Sequence, residues 1–173
     1  PTAGIAISGV GASGVTVQGN YLGTSADGSA AAANALGLNV INGTAHQIGG
    51  VLPSQRNLVS GNTGVSINLS SSTTRVVVEG NYVGTNASLS GVVPNAHNGL
   101  YFYGTQEEGY PLDNLIGPGN IICGNGVEPP FDWAGISVDN NGTAGNQFFG
   151  NYIGQDPSGR LQAGQPYGVL VQH

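Results

Sequence analysis

A pentapeptide, Gly-Asn-Tyr-aliphatic-Gly, occurs three times in the chain, at residues 19–23, 80–84 and 150–154. Between its copies stands a second unit, Asn-aliphatic-aliphatic-small-Gly-Asn, at 57–62 and 120–125. A third pattern, Gly-aliphatic-x-hydrophobic, starts at Gly4, Gly37, Gly64, Gly99, Gly135 and Gly168, at intervals of 33, 27, 35, 36 and 33 residues. Repetition at this period constrains the architecture before any local propensity is weighed. A unit of that size cannot bury an apolar face alone, so it must stack on its neighbours. Residues 1–173 therefore read as a single domain of five units and the opening strand of a sixth.

Within each unit the apolar residues alternate over short stretches, as in Ile5 and Ile7, Leu38 and Val40, Val76 and Val78, and Ile136 and Val138. Such alternation, bounded by Gly, Asn and Ser, marks short strands with one buried face. No stretch shows a helical period. Strands that pair in parallel with their equivalents one unit along build a β-solenoid, and the bias of parallel crossovers makes it right-handed. The expectation is an all-β, right-handed parallel β-helix of about five coils of roughly 33 residues. Ile7, Val40, Ile67, Phe102, Val138 and Val171 should form one interior row. Asn20, Asn81 and Asn151, like Asn62 and Asn125, follow a Gly at a strand end. They suit sharp corners, where stacked amides can bond one another along the axis.

Composition removes several classes of function. Only 12 residues are charged, none is Lys, and the net charge is −6, so there is no basic stripe for phosphates and no nucleic-acid partner is expected. No apolar run approaches a membrane span. The lone Cys123 excludes an internal disulfide and any multi-cysteine metal site. His46, His97 and His173 lack metal-ligand spacing, so neither metal nor other cofactor is expected.

The alternation of GNYLGT, GNYVGT and GNYIGQD with QIGG, RNLVSGN and GNIICGN resembles the right-handed parallel β-helix repeats of bacterial and archaeal secreted and cell-surface proteins. The resemblance covers nearly the whole chain. It implies the fold and an extracellular or surface location, and it leaves the activity open, because such coils serve adhesin-like proteins as well as polysaccharide lyases and hydrolases.

Candidate ligand residues fall in two groups. Tyr21, Tyr82 and Tyr152 follow equivalent corners on alternate coils, about 9–10 Å apart. They form either a platform for a polysaccharide or rings packed over the neighbouring coil. Glu107, Glu108, Asp132 and Trp133 lie in the segments 104–113 and 126–134, which depart most from the repeat, and inserted loops often share a binding face. No catalytic constellation emerges. The acids recur in no common column, with Asp139 aligned to Ser8, Ile41, Asn68 and Tyr103, and no closely spaced Asp motif is present. Four N-x-S/T sequons, at Asn42, Asn68, Asn86 and Asn141, are close to what composition alone produces. The favoured reading is a non-catalytic structural or adhesive solenoid. The alternative is a carbohydrate-active module that binds or cleaves a polysaccharide. Because neither end carries a helical or charged cap, self-association head to tail into a filament, or contact with adjacent coils of a longer chain, is expected.

Overall fold

The computed structural model of the protein describes residues 1–128, 132–139 and 142–172. The sequon at Asn141, His173 and residues 129–131 of the second departing segment lie outside these. The chain winds through three strands per coil: β1 (Ala3–Ser8), β2 (Thr16–Val17) and β3 (Tyr21–Leu22), then β4 (Leu36–Ile41), β5 (Gln47–Gly49) and β6 (Leu58–Val59). The third coil has β7 (Ile67–Ser70), β8 (Val77–Glu79) and β9 (Tyr82–Val83). The fourth has β10 (Leu100–Tyr103), β11 (Leu115–Ile116) and β12 (Ile121–Ile122). The fifth has β13 (Ala134–Asp139), β14 (Gln147–Phe148) and β15 (Tyr152–Ile153), and β16 (Tyr167–Gln172) opens a sixth. Equivalent strands pair in parallel into three sheets, β1-β4-β7-β10-β13-β16, β2-β5-β8-β11-β14 and β3-β6-β9-β12-β15. This is the expected solenoid of about five coils. The only helical segment among the described residues is a single 3₁₀ turn at Pro53–Gln55, and none is long and apolar enough to cross a membrane.

Inward-facing residues of the three sheets meet in one continuous core. In the first sheet the rows are Ile5, Leu38, Ile67, Leu100, Ile136 and Val169, and Ile7, Val40, Leu69, Phe102, Val138 and Val171. Ile67 is fully buried, but it stands in the first row, where the sequence pattern had put it in the second. The residue equivalent to Gly37 is thus Ser66, two places beyond Gly64. A slip of two residues keeps every side chain on its own face, so alternation cannot detect it. The same slip corrects the column of Asp139, which runs through Ser8, Ile41, Ser70 and Tyr103.

The corners are held by asparagine ladders. Each side-chain amide donates to the Oδ1 of the next: Asn20 to Asn57 (3.0 Å), Asn57 to Asn81 (2.9 Å), Asn81 to Asn120 (3.1 Å) and Asn120 to Asn151 (2.8 Å). A second ladder runs Asn34, Asn62, Asn95 and Asn125, and a short third one joins Asn114 to Asn146. The same amides also bond backbone carbonyls, as Asn81 does with Ile48 and Glu79, so these fully buried groups are satisfied. Close stacking needs glycine beside the ladder. At Gly49 (φ +83°) an added Cβ would lie 2.1 Å from the Glu79 carbonyl oxygen. Ladder and register together show that the two sequence units are one corner read on alternate coils: Asn20-Tyr21-Leu22 stacks on Asn57-Leu58-Val59.

Candidate functional site

The outward-facing residues of the third sheet form a column of Tyr21, Leu58, Tyr82, Ile121 and Tyr152. The three tyrosines thus share one edge of the rod, two coils apart, with an aliphatic side chain between each pair. Tyr21 (46% exposed) and Tyr152 (39%) are open to solvent, whereas Leu58 and Ile121 are buried. Beside the column, each odd coil throws out a loop of the same design. The loops 25–30, 86–91 and 156–161 are closed by antiparallel bridges at Thr24–Ala31, Thr85–Val92 and Gln155–Gln162. The first residue's N–H bonds the last residue's carbonyl in every copy (2.8, 3.0 and 2.9 Å). The fourth position is left-handed in all three, at Gly28, Leu89 and Gly159. The first two loops touch, with Ala87 N–H donating to the Gly28 carbonyl at 3.1 Å.

Between Tyr21 and Tyr82 lies a half-open cleft of about 190 Å³, floored by Leu58 and walled by Pro53 and Ala87. Arg56 enters it from the 3₁₀ turn. Its guanidinium carbon sits 4.3 Å from the centroid of the Tyr82 ring, its Nε donates to the Gly80 carbonyl (2.7 Å) and its Nη1 donates to the Tyr82 hydroxyl. In the sequence Arg56 is one of three arginines, far apart at 56, 75 and 160. Its partners lie a coil away, at a spacing no local motif reveals. A second cleft, of about 400 Å³, opens between the loops 86–91 and 156–161, beside Asp156 and Arg160. Hydrogen bonds from Ser158 hold the Asp156 carboxyl below its ordinary range. Asp27 in the first loop is likewise lowered, to about 2, by Ser25 and Ser29. In both cases the acid ties its own loop.

The two departing segments leave the coil at different corners, one between β10 and β11 and the other between β12 and β13. Glu108 lies against Ser71 and Ser72 of the preceding coil, and the exposed Glu107 projects from the same small loop. Trp133 stacks on His97 (centroids 4.2 Å apart) and donates its indole N–H to the Glu128 carbonyl, with Asp132 exposed next to it. No hydrogen bond or ring contact joins Glu107 or Glu108 to Asp132 or Trp133 among the described residues. The first sheet lies between the two corners, so Glu107 and Glu108 face one and Asp132 and Trp133 the other. Cys123 replaces Ser60 on the equivalent coil. It is fully buried, and burial pushes its thiol up to about 11. Among the described residues no three His, Cys, Asp or Glu side chains gather as a metal site would require.

These features define a class, the parallel β-solenoids. No protein-family model, curated protein or solved structure matches the chain.

Proposed function

We propose that the chain is a non-catalytic structural segment of an extracellular or cell-surface protein, a β-solenoid rod of the GNYxGT/RNxxSGN repeat kind that carries loops along one edge. The observation that carries this reading is the use made of the repeated letters. The Asn and Gly of each motif are engaged in axial ladders and corners, and the aliphatic positions fill the core. None of the repeated residues is left as a titratable pair facing solvent. In this reading β16, whose Tyr167, Val169 and Val171 stand 46, 47 and 58% exposed at one end of the described stack, receives a further coil. It pairs with β13 on one side only, and its free edge is a template for that coil, either the next of a longer chain or that of a second copy. Sedimentation velocity with electron microscopy tests the assembly. Concentration-dependent rods that Val171→Asp abolishes are expected, and a monomer at every concentration removes the polymer reading.

A second reading, a saccharide-binding surface, is favoured by one observation: the exposed tyrosines aligned along a single edge.

A further inference from the structure

We infer that the cleft between Tyr21 and Tyr82 binds an acidic saccharide, with Arg56, seated on the Tyr82 ring, taking the sugar's carboxylate and the Tyr21 ring facing the pyranose. The inference rests on the saccharide-binding reading and adds the charge of the ligand and the residue that selects it. Arg56 is the informative group. Of its five N–H donors, Nε and one on Nη1 are engaged, and the remaining three have no partner among the described residues. No carboxylate pairs with it, although the chain holds nine acids and only three arginines. Arg75 and Arg160 also lack a carboxylate partner among the described residues, and Arg56 differs from them in being held in a cleft, by the Gly80 carbonyl and Tyr82. Here the Gly80 carbonyl and the face of Tyr82 hold the guanidinium plane in one orientation, so little freedom remains to be lost when a ligand binds. The planar fork suits a carboxylate, which it can grip through two parallel bonds.

The surroundings set the rest of the ligand. Leu58 gives the floor an apolar centre, and the Tyr21 ring is nearly half exposed one strand spacing beyond it. An open aromatic face at Tyr21 with one polar anchor at Arg56 matches a ring that has an apolar face and an acidic substituent, which is the form of a hexuronic acid. The cleft is half open, so it accepts one residue of a longer chain rather than an enclosed small molecule. A flexible acidic peptide would satisfy Arg56 but would leave the Tyr21 ring unused.

Titration calorimetry of the whole chain with oligomers of a hexuronic acid, their methyl esters, a neutral hexose oligomer and a glutamate peptide of equal charge separates the outcomes. The uronate is expected to bind saturably, at least tenfold more tightly than its methyl ester or the glutamate peptide. Arg56→Gln should lose at least tenfold in affinity, and Tyr21→Ala several-fold. The unfolding midpoint of each variant shows that the fold is kept, and Arg56→Lys, which retains the charge without the fork, should fall between wild type and Arg56→Gln. Equal binding of ester and acid, or unchanged affinity in Arg56→Gln, overturns the acidic ligand and leaves the saccharide surface standing. Equal binding of the glutamate peptide overturns the saccharide assignment. Absence of saturable binding by any oligomer at millimolar concentration overturns both.

Discussion

His46 shows how one residue can substitute for another in a ladder. The residues before the strands of the second sheet, Gly14, Ala45, Arg75, Asp113 and Gly145, are all left-handed, and the next position carries Val15, His46, Val76, Asn114 and Asn146. There Asn146 and Asn114 accept the N–H of Asn114 and Val76 through Oδ1, and His46 accepts that of Val15 through Nδ1 at 3.1 Å. The imidazole acts as a surrogate amide. Its Nε2 is buried without a partner, and the side chain is only 1% exposed. Burial lowers its pKa below the ordinary 6.5, and a proton on Nδ1 would in addition displace the Val15 N–H. The unfolded chain takes up that proton first. The stability His46 contributes is therefore complete above about pH 6.5 and declines as the pH falls from there toward the depressed native value, by at most about 1.4 kcal/mol per pH unit. Urea unfolding from pH 7 to 5 should show this slope, and His46→Asn should flatten it while holding or raising stability at pH 5. A slope unchanged in His46→Asn would place the titration elsewhere. The Gly-Asn corners were legible because the dipeptide recurs. His46 was not, since its role depends on the left-handed Ala45 before it, and the segment Thr-Ala-His-Gln shares nothing with Leu-Asp-Asn-Leu on the fourth coil.

The strands and their burial were legible in the alternating aliphatic pairs; the register of the third coil was not. Val65, Ile67 and Leu69 alternate without a break, so either of two frames two residues apart satisfies the pattern. Packing decides between them. Ser66 takes the place of Gly37 because its hydroxyl finds the Val59 carbonyl at 2.8 Å, whereas a Cβ at Gly37 itself would meet the Val59 side chain at 2.3 Å. The edge loops were legible as three insertions after the Tyr corners, but their shared hydrogen-bonding design was not, because the first residues are Ser, Asn and Asp. Each first side chain closes its loop on a backbone N–H near the end: Ser25 Oγ accepts from the sixth residue, Ala30, Asn86 Oδ1 from the fifth, Ser90, and Asp156 Oδ1 from the sixth, Leu161. In this design Leu89 departs from its equivalents, holding φ +56° where the other loops have glycine. A leucine there carries strain of about 1 kcal/mol that glycine lacks. Leu89→Gly should accordingly raise the unfolding free energy by up to about 1 kcal/mol, read by thermal or chemical denaturation. Destabilisation would mean that the side chain's packing outweighs the backbone term.

Across the whole molecule the strands of each coil pair only with those of its neighbours, so a residue's importance follows its depth in the stack. Leu69 and Val171 belong to the same interior row, yet the first is fully buried and the second 58% exposed. Leu69→Asp places an unpaired charge in the core and should cost more than about 4 kcal/mol, enough to unfold the chain. Val171→Asp should change the stability of the isolated chain by less than about 1 kcal/mol. Circular dichroism melts of the two variants provide the comparison, and similar losses in both would mean that β16 is covered in solution. The edge loops impose a further rule on how such a rod can lengthen. On the even coils the corner glycines are wedged between loops of the flanking odd coils: Gly61 donates to the Val93 carbonyl with Ala31 behind it, and Gly124 donates to the Ala163 carbonyl against Val92. Two loop-bearing coils in succession would leave no room for that interleaving. The heritable module is therefore the pair, one ornamented turn and one plain, and gene duplications or deletions that preserve the rod should change its copy number two turns at a time.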